Sequence, residues 1–159
     1  MPDMLVKLYE LPEMSDILSR LYGHGIEIRR AMAPDKTHIL SWIREHSSEG
    51  AAGEADVCFS HTPISLFLAT RGKAIVGYAC YDATAPNFFG PTRVVDSEQN
   101  KGIGKALLLK SLYALEAQGY AYAIIGGVGP QHFYEKCVGA TLIEGSKPGI
   151  YKDYLGAQQ

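Results

Sequence analysis

The segment from residue 94 to residue 105 is the part of this sequence best suited to bind an anion. Its sequence is VVDSEQNKGIGK, in which a strand-like run ends and a helical pattern begins. The first turn of a helix has unpaired N–H groups and the positive end of the helix dipole. Gly102 and Gly104 allow close approach to the backbone, and Lys101 and Lys105 add positive charge. The pattern predicts a pyrophosphate site.

Two widespread pyrophosphate motifs do not fit this segment. A Walker loop requires Ser or Thr after the Gly-Lys pair, but Lys105 is followed by Ala106. A dinucleotide-binding fingerprint requires a third glycine three residues after the second, where this chain has Leu107. An unrelated nucleotide-phosphate binder remains an alternative hypothesis.

The spacing Gln-x-x-Gly-x-Gly, formed by Gln99, Gly102 and Gly104, resembles the Arg/Gln-x-x-Gly-x-Gly/Ala motif of the GNAT N-acetyltransferase superfamily. Val94 stands five residues before the glutamine, as in the superfamily's pattern. Further along, the segment 133–140 (FYEKCVGA) is similar to its Phe-Tyr-x-Lys-x-Gly-Phe block, with one extra residue before the glycine. The resemblance implies acetyl-CoA as cosubstrate, no metal, and transfer of an acetyl group to a primary amine. A non-catalytic acyl-CoA-binding or sensor domain on the same fold is the alternative.

By this resemblance, the cofactor would be bound by residues of the strand end, the turn and the first helical turn. Backbone groups of the two valines would bond to the pantetheine arm, beside a strand bulge that Gly90-Pro91 indicates. The expected cofactor-binding residues are Val94, Val95, Gln99, Asn100, Lys101, Gly102, Ile103, Gly104 and Lys105.

The resemblance also assigns catalytic roles. Tyr134 would act as general acid on the thiolate leaving group, and a backbone N–H near Val94 would stabilise the oxyanion. The general base stays open among Asp82 at a strand end, His132, and a water chain. Gly127 stands where the family often has Asn, so no asparagine contact is carried over.

Hydrophobic periodicity predicts an α/β (α+β) fold with a mixed, mostly antiparallel sheet, helices on both faces and splayed central strands. The whole chain, 1–159, is expected to form a single domain, with 1–25 as an extra strand and helix outside the usual core. Residues 47–56 have no clear period and predict a mobile loop. The predicted strands are 5–9, 26–29, 66–70, 74–82, 88–95, 120–125, 141–144 and 150–154, and the predicted helices follow Pro12, Pro34, Lys101 and Gly129.

Composition narrows the function classes. A net charge of -2 over 159 residues argues against nucleic-acid binding. The sequence contains no run of ~18 apolar residues and no secretory leader pattern, so a cytoplasmic protein that does not span a membrane is expected. Three cysteines do not suggest a disulfide framework.

The acceptor is expected to be a small-molecule amine rather than a protein tail. Four carboxylates, those of Glu49, Glu54, Asp56 and Asp82, could attract a cationic amine or could be solvated surface charges. Members of the family are often dimers, so a homodimer is an open expectation.

Overall fold

The computed structural model describes residues 1–158, which contain seven strands and five α-helices. The strands are β1 (Asp3–Lys7), β2 (Ile26–Arg30), β3 (Leu66–Arg71), β4 (Ala74–Tyr81), β5 (Phe88–Val94), β6 (Tyr122–Ile125) and β7 (Thr141–Ile143). The helices are α1 (Ser15–Gly23), α2 (Lys36–His46), α3 (Glu49–Cys58), α4 (Ile103–Ala117) and α5 (Gln131–Val138). No helix of residues 1–158 has both the length and the apolar character needed to cross a membrane.

All strands join one sheet in the order β2-β3-β4-β5-β6-β1-β7. Only the β5–β6 pair is parallel; the other neighbours are antiparallel. The predicted mixed, mostly antiparallel sheet is confirmed.

The central strands are apolar on both faces because helices cover both. Along β3, Phe67 and Ala69 join the core formed with α1, α4 and α5, whereas Leu66 and Leu68 join a second core with α2 and α3. This division follows the strand period, in which successive side chains point to opposite faces. The two helix layers therefore enclose the middle of the sheet between them.

The centre of the sheet opens into a gap between β5 and β6. Their pairing is limited to Phe88 with Ile124 and Phe89 with Ile125, after which β6 ends while β5 continues to Val94. On the other side of β5, the register with β4 shifts by one residue across Gly90-Pro91, which forms the predicted bulge. The backbone of β5 beyond Phe89 therefore has a strand neighbour on one side only.

The predicted loop at 47–56 is wrong, because most of this segment forms α3. The Ser48 hydroxyl accepts a hydrogen bond from the Ala51 N–H at 3.0 Å and caps the helix. Ala52, Ala55 and Cys58 are buried along one helix face. Alanine has high helix propensity, and these small side chains let α3 pack closely on the sheet.

One prediction at the C-terminal end is also corrected. At the other end, β1 is inserted between β6 and β7 and buries Met4 and Val6 completely, while the division of the chain at residue 25 stays a prediction. The strand predicted at 150–154 is instead a 3-10 turn over Gly149–Tyr151. Gly149 has a left-handed φ of +61°, which a strand does not allow. The Tyr151 N–H donates to the Pro148 carbonyl at 3.2 Å within the turn instead of to a neighbouring strand.

Candidate active site

The glycine turn links the end of β5 to the start of α4. The Gln99 side-chain amide donates to the Val94 carbonyl at 3.1 Å and to a carboxylate oxygen of Asp96 at 3.2 Å, which ties the turn to the strand. Asn100 and Gly102 then take left-handed φ values of +64° and +93°. Because the residue before α4 is a glycine, it has no side chain to cap the helix, and the first N–H groups are open to an anion.

A cleft of about 430 Å³, which we call the glycine cleft, lies between this turn, β5 and α5. Phe133 and Tyr134 of α5 form its opposite wall. Seven of the nine predicted cofactor-binding residues line it: Val94, Gln99, Asn100, Gly102, Ile103, Gly104 and Lys105.

The two valines at the end of β5 differ in what their backbones offer. The Val95 N–H donates to the Val76 carbonyl at 2.9 Å, and the Val95 carbonyl accepts from the Glu98 N–H at 3.0 Å. Since N–H groups alternate in direction along a strand, the Val94 N–H points the other way, into the gap between β5 and β6. Of the two valines, Val94 is therefore the one whose N–H faces the gap, and cofactor binding by both residues stays a prediction.

The two lysines of the turn also differ in where their side chains lie. The Lys101 ammonium lies outside the glycine cleft and pairs with Glu98 at 3.2 Å. Lys105 lines the cleft and forms no salt bridge within residues 1–158. Hydrogen bonds from Arg71 above all, and from Lys101, hold the pKa of the Glu98 carboxyl below its ordinary value. Arg93 also lines the cleft but pairs with Asp96 at 3.6 Å, so the unpaired positive charge there comes from Lys105 and the start of α4.

Tyr134 lines the glycine cleft and is 6% exposed. Its ring packs edge-on against Phe89 and Phe133, with centroid distances of 6.4 and 5.1 Å. Burial raises the pKa of Tyr134 to about 12. The phenol therefore keeps its proton throughout the neutral range and is available as a hydrogen-bond donor.

A second cleft of about 620 Å³, which we call the Glu54 cleft, lies on the other side of Tyr134. It is formed by the bulged part of β5, the loop 126–129, Glu54 of α3, Thr84 and Tyr151. The residues common to both clefts are Phe89, Thr92, Pro130 and Tyr134. The two clefts therefore meet at the Tyr134 side chain, one holding the glycine turn and the other a carboxylate.

The structure does not bring Asp82 to this junction. Asp82 has a left-handed φ of +53°, and its carboxylate accepts a hydrogen bond from the Asn87 N–H at 2.7 Å within the turn before β5. It lines a separate pocket beside His61. The His132 side chain is 89% exposed and faces Glu135 instead of the clefts. The turn geometry accounts for the position of Asp82, and a catalytic role for it stays a prediction.

Sequence reasoning did not single out Glu54, Thr84 and Tyr151. Glu54 was only one of four acidic candidates, because its segment was expected to be a loop. Ser48 followed by an alanine-rich stretch is a signal for a capped helix, and that helix aims Glu54 at the cleft. Thr84 and Tyr151 lie in irregular segments, and no sequence pattern connects them to Glu54.

The sequence by itself matches no protein-family model and no curated protein. Solved structures resemble the fold. The first is a GCN5-related glucosamine N-acetyltransferase region of a fungal multi-domain GH3 β-N-acetylglucosaminidase, with a TM-score of 0.72 and 11% identity over 89% of this chain and 19% of that one. A GCN5-related N-acetyltransferase from Sphaerobacter thermophilus has a TM-score of 0.63 and 19% identity over 89% of this chain and 48% of that one.

A third similar structure is a GNAT family acetyltransferase from Brucella melitensis in complex with acetyl-CoA. It has a TM-score of 0.51 and 19% identity over 69% of this chain and 82% of that one. The chain spans less than half the length of the first two structures. The protein has the fold of the GNAT acetyltransferase superfamily, as the resemblance of its motifs implied.

Proposed function

We propose that the protein transfers an acetyl group from acetyl-CoA to the amine of a small-molecule acceptor. The observation that carries this proposal is the meeting of the two clefts at Tyr134. One cleft has the anion-binding features that a CoA pyrophosphate requires. The other adjoins it at Tyr134 and has room for a second substrate. A reaction between two bound molecules needs such a junction, with a proton donor at the point of contact.

The glycine cleft fits the pyrophosphate and pantetheine of CoA. The open N–H groups at the start of α4 and the Lys105 ammonium would bind the pyrophosphate. A Cβ added at Gly104 would lie 3.7 Å from the Phe133 ring, an ordinary van der Waals distance. Packing within the protein therefore does not require a glycine at this position. The gap between β5 and β6 would receive the extended arm alongside the Val94 N–H.

The residues at the junction of the two clefts support direct attack of the acceptor amine on the thioester of acetyl-CoA. The acceptor nitrogen forms a bond to the thioester carbonyl carbon, and the carbon–sulfur bond then breaks. A backbone N–H of β5 near Val94 that also faces the gap would stabilise the developing oxyanion. Tyr134, with a pKa of about 12, is a weaker acid than a thiol of pKa about 8.5. Its hydroxyl therefore stabilises the leaving thiolate mainly by donating a hydrogen bond, while the net proton comes from the acceptor nitrogen.

A small-molecule acceptor is favoured by the size of the Glu54 cleft. Its volume of about 620 Å³ falls within the range of small-ligand pockets. The description of the fungal neighbour as a glucosamine N-acetyltransferase region is in keeping with an amine of this size.

The test is amine-dependent release of free CoA thiol from acetyl-CoA, measured with a panel of primary amines and with a no-amine control. The proposal predicts stimulated release with at least one small amine and a matching N-acetyl product. A protein that binds acetyl-CoA but releases no thiol with any amine would contradict it and favour a binding domain.

A further inference from the structure

The Glu54 carboxylate is held in a defined orientation by two neutral donors. The Thr84 hydroxyl donates to Oε2 at 3.0 Å, and the Tyr151 hydroxyl donates to Oε1 at 2.9 Å. These residues come from α3, the loop after β4 and the turn after β7, so three separate segments converge on one carboxylate. A carboxylate can accept about four hydrogen bonds, which leaves acceptor capacity on both oxygens.

The charge of Glu54 is not neutralised by the protein. Within residues 1–158, Glu54 forms no salt bridge, and it is the only charged side chain among the residues that line the Glu54 cleft, one of which is Met1 with its α-ammonium group. Much of the remaining wall is apolar, including Phe89, Pro91 and Val128. An isolated carboxylate beside apolar walls interacts with a cation more strongly than a fully solvated one does.

The tyrosine and cysteine side chains near Glu54 carry no charge that could attract a cation in its place. Burial, with a contribution from the Glu54 carboxylate, raises the pKa of Tyr151 to about 12, so its hydroxyl remains a donor. Burial also holds the pKa values of nearby Tyr78 and Cys80 above their ordinary ranges. These groups stay neutral at physiological pH. The Asp3 carboxylate accepts from the Gly127 N–H at 2.9 Å behind the cleft loop and does not line the cleft, so Glu54 is the carboxylate that a ligand meets there.

We propose that Glu54 binds the acceptor's ammonium group and accepts its proton, and that the acceptor is a primary alkylammonium with an apolar body. This inference rests on the proposed acetyl transfer and names the acceptor class for it. The ammonium gives one proton to Glu54, and the resulting amine forms the carbon–nitrogen bond, after which the carbon–sulfur bond breaks. The second nitrogen proton passes to the thiolate, by way of Tyr134, and Glu54 releases its proton to solvent. The products are the amide, CoA thiol and one proton.

The roles of the neighbouring residues follow. Thr84 and Tyr151 are positioning residues, because they touch Glu54 instead of the reacting atoms. The apolar part of the wall would contact the body of the acceptor, which gives an arylalkylamine an advantage over a small hydrophilic amine. Glu54 replaces Asp82 as the carboxylate of the site.

The test uses Glu54→Gln, which keeps the side-chain shape and removes the charge. Phenethylamine is the cationic probe and aniline is the neutral aromatic amine, both with saturating acetyl-CoA. For the variant, kcat/KM for phenethylamine should fall roughly 100-fold or more, as expected for loss of a general base, with a rise in KM. The loss with aniline should be much smaller. The acetyl-CoA-induced rise in Tm should stay unchanged, which shows that the fold and the glycine cleft are intact.

A second variant tests the role of Glu54 independently, in case Glu54→Gln does not fold. Tyr151→Phe removes one donor to Glu54 and should lower kcat/KM for phenethylamine roughly tenfold, whereas the matched Tyr154→Phe should change it less than about twofold. Tyr154 lies in the same segment, and its side chain is 48% exposed.

The outcomes separate the two proposals. A wild-type protein with no acetyl-CoA-induced stabilisation and no thiol release overturns the proposed function itself. A wild-type protein that releases thiol with aniline but not with phenethylamine overturns only the acceptor class. Equal kcat/KM for phenethylamine in the wild type and Glu54→Gln overturns the role of Glu54.

Discussion

Replacing Tyr134 with phenylalanine removes one hydroxyl from the junction of the two clefts and leaves the ring packing unchanged. The ring contacts Phe89 and Phe133, and both contacts survive the change. We expect kcat for acetyl transfer to fall roughly 100-fold, the lower end of the range for loss of a proton donor, because the raised pKa makes this phenol a weak acid. Binding of acetyl-CoA should be retained. Tyr113→Phe, distant from the clefts, is the matched control.

The same variant tests whether the Tyr134 hydroxyl is buried, because burial makes the free energy of unfolding depend on pH in the alkaline range. The folded protein keeps the Tyr134 proton to a pKa of about 12, whereas the unfolded chain loses it near the ordinary value of 10.0. Above pH 10 the unfolded state therefore binds fewer protons, and stability falls as the pH rises toward 12. At pH 11 this loss is on the order of 1 kcal/mol. Tyr134→Phe lacks it, so its stability relative to the wild type should improve by that amount between pH 9 and pH 11.

Urea unfolding followed by circular dichroism at the two pH values measures this difference. The other buried tyrosines titrate in both proteins and cancel in the comparison. Parallel pH dependence of wild type and variant would refute the buried, protonated state of Tyr134. An unchanged kcat in the variant would refute its part in leaving-group stabilisation.

Three further predictions concern the elements that form the site. Lys105→Ala should weaken acetyl-CoA binding roughly tenfold in calorimetry, whereas Lys101→Ala, whose ammonium pairs with Glu98, should change it less than about twofold. Gly102→Ala should lower the free energy of unfolding by about 1–2 kcal/mol because of the left-handed φ of +93°, but Gly104→Ala should leave it equal or higher by up to about 1 kcal/mol. Ser48→Ala should cost about 1 kcal/mol in urea unfolding by removing the cap of α3, and no change would argue against that cap.

The sequence predicted the glycine turn and the sheet around it because those features depend on local signals. Each of these signals affects only the few residues next to it in the chain. They are Gly102, the apolar run of α4 and the Gly90-Pro91 bulge. The backbone difference between Val94 and Val95 depends on the register with β4, and a shift of one residue would exchange their roles. Residue types cannot reveal that register.

The acceptor side of the site was less accessible to sequence reasoning. Glu54 reaches Thr84 and Tyr151 across sequence separations of 30 and 97 residues. Such contacts are created by tertiary packing, and no periodic pattern encodes them. The position of β1 between β6 and β7 has the same origin, since its partners lie more than 100 residues away in the chain.

The most direct test of the central claim is the Tm of the wild-type protein with acetyl-CoA, CoA, ATP and NAD in parallel. A ligand at 100 times its Kd adds about 2.7 kcal/mol of stability, which raises the Tm of a domain of this size by several degrees. The account predicts that acetyl-CoA and CoA raise the Tm while ATP and NAD do not. No rise with either CoA compound would contradict the assignment of the glycine cleft as an acyl-CoA site.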